Sequence, residues 1–439
     1  MQVLKFGGTS VGSVENIKNV VSIINTKSPK IVVLSAMSGT TNHLVKIAET
    51  LYVQNVSDAV SLIAELEQKY YAVVLELFTT EEFLNKGKEL IKNHFKHIKS
   101  FTEDLFTHFE EKAILAQGEL LSTALVHYYL SEQNIDSKLI SALNFVRTDK
   151  DNEPDTYYIK ENLKRELANC ADTNIVITQG FICRNSFGEI DNLKRGGSDY
   201  SASLIGAAIN AEEIQIWTDI DGMHNNDPRI VKNTHSISHL SFDEAAELAY
   251  FGAKILHPSS IFPAKMANVP VRLKNTMEPA AEGTYISNAT QGEGIKAIAA
   301  KDNIIAIKIK SDRMLLAYGF LRKIFEIFEF YKTSIDMITT SEVAVSLTID
   351  DTTHLNEIES ALKKFGVVEV EKDLTIICVV GDLAQDSTGN GYKIFEPLKN
   401  IPIRMISYGG SKYNTSFLIN SENKSLALNQ LHQNLFNGK

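Results

Sequence analysis

Lys5, Arg195 and Lys254 each stand within two positions of a glycine turn. Lys5 precedes Gly7-Gly8, Arg195 precedes Gly196-Gly197-Ser198-Asp199, and Lys254 follows Gly252-Ala253. Gly7 and Gly8 lack Cβ atoms, so the backbone there can take φ > 0 and approach a ligand closely. Successive N–H groups at a turn feeding a helix form an anion site. Lys5, on the strand before that turn, can place an ammonium beside the same anion, and Thr9, Ser10 and Ser13 add hydroxyls. Arg195 offers a planar fork suited to a carboxylate. Asp199 alone reads as a helix-capping acid; beside Arg195 and the glycine pair it joins a second anion-binding constellation. Glu119 is the one acid in the small, apolar run Ala116–Thr123.

These groups act together only if the chain brings them to one edge. Val3 to Phe6 reads as a short strand and Val14 to Asn25 as a helix that Ser13 can cap. Ile31-Val-Val-Leu34 is a continuous apolar run, which suits a central strand buried on both faces. It ends in the polar turn Ser35-Ala-Met-Ser38-Gly39-Thr40-Thr41-Asn42, followed by a helix to about Leu51. Ligands bind at such turns, outside the carboxyl ends of parallel strands. Residues 57–133 read as long helices. Strands at Lys138–Ser141, Asn174–Thr178, Ile214–Trp217 and Pro270–Leu273 continue the alternation, which predicts an α/β fold with an open, mainly parallel sheet sandwiched by helices. His94 and His97 read as part of a solvated helical face, with no third metal ligand nearby and no metal site expected.

The 439 residues suggest two to four domains. A net charge of −10 without a long basic run argues against a nucleic-acid partner. Three widely spaced cysteines suggest neither a metal site nor a disulfide framework. No apolar run approaches the roughly 18 residues of a membrane span, so a cytoplasmic protein without membrane association is expected. Gly, Ser, Thr and Asn crowd Glu282 to Gly294, where the composition places a boundary. Beyond it Lys323-Ile-Phe-Glu326 recurs as Lys393-Ile-Phe-Glu396, and Ile335-Asp-Met-Ile-Thr339 is echoed by Ile403-Arg-Met-Ile-Ser407. Each copy reads strand, helix, strand, strand, helix, as in a ferredoxin-like βαββαβ unit.

Cations with backbone amides suit a polyphosphate, and Glu119 with Arg195 suits the ammonium and carboxylate of an amino acid. Phosphoryl transfer needs positioning and charge neutralisation more than covalent chemistry, so an amino-acid kinase is one reading of the set. The segments Lys5-Phe-Gly-Gly-Thr-Ser10, Leu193-Lys-Arg-Gly-Gly-Ser-Asp199, Thr218-Asp-Ile-Asp-Gly222, Asp227-Pro-Arg229 and Phe251-Gly-Ala-Lys-Ile-Leu-His-Pro258 together resemble the aspartokinases of the amino-acid kinase superfamily. The repeat resembles their two ACT domains. Ser334-Ile335-Asp336 followed by Thr339-Thr340-Ser341-Glu342 resembles the lysine-sensitive, single-function type, and no homoserine dehydrogenase half is expected after Lys439.

The resemblance implies a catalytic domain over 1–294, a first ACT domain over 302–373, and a second over 374–439 completed by a strand at 295–301. It implies ATP with Mg²⁺ as co-substrate, L-aspartate as acceptor, 4-phospho-L-aspartate as product, and L-lysine as feedback effector. This is the first step toward lysine, threonine and methionine. By position, Lys5 neutralises charge on the transferring phosphoryl group and Asp199 orients that lysine. Thr41, Glu119, Arg195, Gly196, Gly197 and Ser198 hold aspartate, with Glu119 facing its ammonium. Gly7, Gly8, Ser10, Thr218, Asp219, His224, Arg229 and Lys254 contact the nucleotide. Met314, Gly319, Leu321, Ser334, Ile335, Asp336, Thr340, Ser341 and Glu342 hold lysine. A homodimer joined through ACT domains is expected. His224 stands where the family often has Tyr; it can still stack or hydrogen-bond. A kinase for another acidic amino acid and a non-catalytic amino-acid sensor are the competing readings. A dinucleotide-binding oxidoreductase is disfavoured because no G-x-G-x-x-G opens a βα unit.

Overall fold

The computed structural model describes residues 1–436 except 104, 194–195, 253–255, 290–291, 293, 312–317 and 384–387. Its elements begin with β1 (Gln2–Phe6), α1 (Val14–Ile24), β2 (Lys30–Leu34), α2 (Thr40–Tyr52), α3 (Val56–Leu77), α4 (Glu81–Ser100), α5 (His108–Glu132), β3 (Lys138–Leu139), α6 (Ala142–Phe145) and α7 (Thr156–Ala168). There follow β4 (Ile175–Gln179), β5 (Ile182–Arg184), β6 (Ile190–Asn192), α8 (Gly197–Ala208), β7 (Ile214–Thr218), β8 (His239–Ser241), α9 (Phe242–Tyr250), α10 (Phe262–Met266), β9 (Val271–Asn275) and β10 (Thr284–Ser287). The C-terminal part holds β11 (Gly294–Lys310), α11 (Phe320–Phe330), β12 (Ile338–Thr340), β13 (Ala344–Ile349), α12 (Leu355–Leu362), β14 (Val367–Asp382), α13 (Asn390–Phe395), β15 (Ile403–Tyr408), β16 (Asn414–Asn420) and α14 (Lys424–Phe436).

Contacts divide the chain into two units. One holds Met1–Met223, Ser238–Phe242 and Leu256–Ala289; the other holds His224–Ile237, Asp243–Ile255 and Thr290–Lys439. This division is not a single cut near residue 294. Val231 lies in the apolar cluster of Ile298, Ile377 and Phe417, and the Ile298 amide donates to the Asn225 carbonyl. Burial of that loop explains its grouping with the C-terminal residues.

The first unit is built on a sheet ordered β3-β4-β2-β1-β7-β9-β10-β8. Neighbours are parallel from β3 to β9; β10 runs antiparallel to β9, and β8 is parallel to β10. β2 is buried at every position, as its unbroken apolar run requires. Ser13 caps α1, its hydroxyl accepting from the Asn16 amide at 3.2 Å. α5 starts in a capping box of Thr107 and Glu110 and is buried over most of its middle. His94 is not part of a solvated face: its Nδ1 lies 2.7 Å from Gln117 Oε1 on α5, and burial holds its pKa below the usual histidine value.

The second unit carries a six-stranded antiparallel sheet ordered β12-β13-β11-β14-β16-β15. The strand–helix–strand–strand–helix order expected of each copy is present in both. β11 and β14 are long and each serves both copies. Their pairing shifts register between Lys301 and Ala306. Asn303 and Asp373 sit at that shift with φ of 59° and 57°, a left-handed conformation that Asn and Asp tolerate better than most side chains. Apolar cores lie on either side of the shift, one around Ile307, Ile324 and Leu347, the other around Ile377, Ile394 and Phe417.

Candidate active site

β1 and β2 lie side by side and in register, so the turns that follow them meet at one end of the sheet. The Ser35 amide donates to the Phe6 carbonyl at 3.2 Å and the Ser38 amide to the Gly8 carbonyl at 3.1 Å. Neither Gly7 nor Gly8 has positive φ. The glycine is needed for proximity: a Cβ on Gly8 would stand 3.0 Å from the Ala36 carbonyl oxygen. The left-handed glycines are instead Gly39 and Gly196, with φ of 77° and 75°, each standing immediately before a helix, α2 and α8.

A cleft of about 350 Å³ opens between these turns, lined by Gly8, Thr9, Ser35 to Gly39, Thr41, Asn42, Glu119, Phe181, Gly197 and Ser198. Lys5 Nζ pairs with Asp199 Oδ1 at 2.6 Å, both side chains largely buried. A Cβ on Gly7 would lie 3.5 Å from that Nζ, so the ammonium stands directly under the first turn. Ser35 Oγ donates to Ser198 Oγ at 2.9 Å, tying the β2 turn to the start of α8.

Glu119 reaches the cleft from the middle of α5. Gly118 permits the approach, since a Cβ there would meet the Ala36 Cβ at 2.8 Å. Glu119 Oε1 accepts from the Ala36 amide at 3.2 Å, while Oε2 is buried with no partner among the described residues. Burial pushes its pKa up to about 7, against the opposing Ala36 hydrogen bond. That shift is worth roughly 3 kcal/mol between its two protonation states. An incoming ammonium would satisfy the bare oxygen and restore the charged form.

The structure thus brings together Lys5, Gly7, Gly8, Thr41, Glu119, Gly196, Gly197, Ser198 and Asp199. The Ser10 side chain is not among them: it is buried, with its hydroxyl 2.7 Å from Thr276 Oγ1, and does not line the cleft. Thr218 ends β7, next to β1, and its hydroxyl donates to Asp219 Oδ1 at 3.0 Å. His224 and Arg229 belong to the second unit. There His224 Nδ1 lies 3.1 Å from Thr234 Oγ1, and Arg229 forks onto Asp227 at 2.9 and 2.8 Å. Arg195, Lys254 and Met314 lie outside the described residues.

In the second unit Gly319 caps α11 with φ of 76° and Leu321 is exposed on that helix. Ser334 is exposed, and Ile335 packs against the core of the first copy. Thr340, Ser341 and Glu342 form the end of β12 and the turn into β13, closed by the Ser341 amide on the Ala344 carbonyl at 2.8 Å. The Asp336 side chain is fully buried and holds Lys301 Nζ at 2.6 Å and the Tyr250 hydroxyl at 2.7 Å on Oδ1. Lys301 also meets Asp350 at 2.9 Å and lies 4.5 Å over the Tyr250 ring. Burial alone would lower the Lys301 pKa; its two carboxylate partners carry it above the usual lysine value.

Sequence reasoning missed Ser35, Asn42 and Phe181 as lining residues, and Lys301 and Tyr250 as partners of Asp336. Ser35 and Asn42 lie in the polar turn after β2, which did signal a ligand. Phe181, held at φ 66° with its amide donating to Ser201 Oγ at 2.8 Å, carries no local sign of its position.

Comparison with known proteins places these features in a family. A sequence profile described as "Amino acid kinase family" matches residues 1–275, and one described as "ACT domain" matches residues 377–435. The chain is 33% identical to lysine-sensitive aspartokinase 3 of Escherichia coli K12, over 99% of each chain. It is 35% identical to chloroplastic aspartokinase 1 of Arabidopsis thaliana, over 99% of this chain and 80% of that one. Among solved structures it resembles E. coli aspartokinase III in complex with aspartate and ADP, with a TM-score of 0.84, 32% identity and 99% and 100% of the two chains covered. The same enzyme in complex with lysine and aspartate gives a TM-score of 0.83 at 33% identity, over 99% of both.

Proposed function

The chain belongs to the aspartokinases of the amino acid kinase family, and from that premise we propose that it transfers the γ-phosphoryl group of ATP to the side-chain carboxylate of L-aspartate under inhibition by L-lysine. The observation that carries the substrate assignment is the bare, buried Oε2 of Glu119 in the cleft. It is a binding group for the α-ammonium of a small amino acid. Thr41, Gly197 and Ser198 line the same cleft; with Gly196 they hold the substrate, and Arg195 takes its α-carboxylate.

An aspartate side chain has an ordinary pKa near 4, so at neutral pH the nucleophile is already ionised and no general base is required. One of its oxygens forms a bond to the γ-phosphorus, the bond from that phosphorus to the β,γ-bridging oxygen breaks, and ADP leaves with the electron pair. The difficulty is bringing two anions together. Lys5 places a positive charge where the phosphoryl group moves, and Asp199, 2.6 Å away, fixes its direction. Gly7 and Gly8 let the phosphates approach the backbone. Ser10 supports that turn from behind through Thr276. Thr218, Asp219, His224, Arg229 and Lys254 serve the nucleotide. Mg²⁺ travels with the ATP phosphates, in keeping with its habit of taking few protein carboxylates; the described residues hold no cluster of three or more metal-ligating side chains.

Lysine is read by Met314, Gly319, Leu321, Ser334, Ile335, Asp336, Thr340, Ser341 and Glu342. The catalytic domain spans 1–294, and the ACT modules span 302–373 and 374–439, the latter completed by 295–301. A cytoplasmic homodimer paired through the ACT modules is the assembly this reading favours. Aspartate-dependent ADP formation by the purified protein, with and without millimolar lysine, tests the whole. Lysine-suppressed turnover is the expected result; no turnover with aspartate would overturn the substrate assignment, and turnover indifferent to lysine would overturn the effector.

A further inference from the structure

α3 lies outside the strand–turn–helix units that build the cleft, yet two of its consecutive residues grip the turn after β2. Lys69 Nζ donates to the Ser38 carbonyl at 2.9 Å, and the Tyr70 hydroxyl lies 3.1 Å from Thr40 Oγ1. Between the two gripped residues stands Gly39, left-handed and without a side-chain cap for α2. Local sequence therefore does little to fix this turn: a glycine there leaves many backbone conformations open. On its other side the turn is tied by the Ser38 amide to the Gly8 carbonyl. Residues 35 to 39, 41 and 42 all line the cleft.

We propose that Lys69, with Tyr70 as a second grip, is a positioning residue for aspartate: it holds the Ser38–Thr40 turn so that Thr41 and the Ala36 amide that orients Glu119 stand ready before substrate arrives. The proposal rests on the reading of the cleft as the aspartate site. The Lys69 bond is charge-assisted, so it is stronger than a neutral hydrogen bond to the same carbonyl. Lys69 is exposed and Tyr70 is fully buried, so the lysine can be replaced without opening the core. Lys5 and Asp199 stand on β1 and α8 and are not held by this clamp. Losing it therefore affects the binding of aspartate and not the transfer step, because the free turn samples other conformations that substrate must first exclude.

The test compares Lys69→Met, Lys69→Arg and Glu119→Gln in steady-state kinetics and thermal unfolding of the full chain. Lys69→Met is expected to raise the KM for aspartate about 3- to 10-fold, the size of one lost charge-assisted hydrogen bond, with kcat and the KM for ATP within about twofold and an unchanged melting temperature. Lys69→Arg, which keeps a cationic donor, restores the aspartate KM. A Lys69→Met enzyme with unaltered aspartate KM, or one whose kcat and ATP KM change equally, overturns the clamp. Glu119→Gln separates the two levels: if it leaves the aspartate KM unchanged, the cleft assignment falls and the clamp with it. If it raises that KM while Lys69→Met does not, the clamp alone falls.

Discussion

Two buried carboxylates, one in each unit, are read as binding an amino acid, Glu119 the substrate and Asp336 the effector, and their surroundings differ in kind. Glu119 has a single backbone amide for company and one bare oxygen. Asp336 also has one oxygen without a partner among the described residues, but its other oxygen already holds an ammonium and a phenol. On the proposed reading, the substrate's ammonium would relieve the desolvation of Glu119. Asp336 carries an internal cation, Lys301, which an effector's ammonium would share or displace on the proposed reading. On the proposed reading, substrate would bind Glu119 by complementarity, and an effector would bind Asp336 by exchange. Exchange has a structural consequence, since Lys301 and Tyr250 are bound to the same oxygen. Whatever moves Lys301 alters the hydrogen bond that anchors the end of α9. A ligand shifts an equilibrium only by binding two arrangements differently; on the proposed reading, lysine would favour an arrangement in which Lys301 has left Asp336.

The largest effect that could break the contrast is at Glu119. Glu119→Gln should raise the aspartate KM about 100-fold, the loss expected when a buried charge partner is removed, while the concentration of lysine giving half inhibition moves little. A KM within threefold of the parent would show that the cleft acid is not the ammonium receptor. Asp336→Ala should raise the half-inhibitory lysine concentration about 30-fold with kcat nearly intact. Arg404, its counterpart in the second copy, is the control: Arg404→Ala should shift lysine inhibition less than about twofold. Equal effects at both positions would mean that the two copies read the effector together.

The lone acid should also be visible in pH. A carboxyl titrating near 7 is ionised in about a tenth of molecules at pH 6 and nine-tenths at pH 8. The aspartate KM should therefore fall about tenfold over that interval, and Glu119→Gln should flatten the profile. The same shift bears on stability. The folded-state pKa is raised, so the contribution of Glu119 is fully present below the ordinary carboxylate value and is lost as pH rises through about 7. Thermal unfolding of the unliganded protein should show this loss between pH 5 and 8, and the Gln variant should lack it. The smallest effect is at Lys301. Lys301→Met removes the internal competitor and should lower the half-inhibitory lysine concentration about threefold, with some loss of thermal stability from the unpaired acid. Unchanged or weakened inhibition in a folded variant would show that Lys301 does not compete.

The parts of this contrast that the sequence displayed are those set by local rules. The apolar run of β2, the Ser13 cap and the repeated strand–helix–strand–strand–helix pattern depend on neighbours in the chain, and all three stand as read. Glu119 was visible because an acid inside an apolar helix is out of place. What stayed hidden depends on tertiary partners. Lys69 and Lys301 are lysines among many, and only the fold shows which carbonyl or carboxylate each one meets. The direction of the Ser10 side chain was hidden for the same reason: its neighbours in sequence line the cleft, but its hydroxyl turns inward to Thr276, far along the chain. The repeat also diverges where composition says it should. Lys393-Ile-Phe-Glu396 is followed by Pro397, which cannot join the α-helical hydrogen bonding; the chain runs on only as a 3-10 turn over Glu396–Leu398. α13 accordingly stops at Phe395 after six residues, where α11 runs for eleven.

The sharing of β11 and β14 between both copies also bears on synthesis. Residues 294–301 leave the ribosome long before 376–382, the segment they pair with. Until then they are a bare strand edge, of the kind that invites pairing with another chain. The first copy can close on residues 304–310 and 367–371 while its own extension still waits. A nascent chain stalled between the two copies would hold a finished module with an adhesive tail, so the interval before residue 382 emerges is the one in which a chaperone has the most to protect.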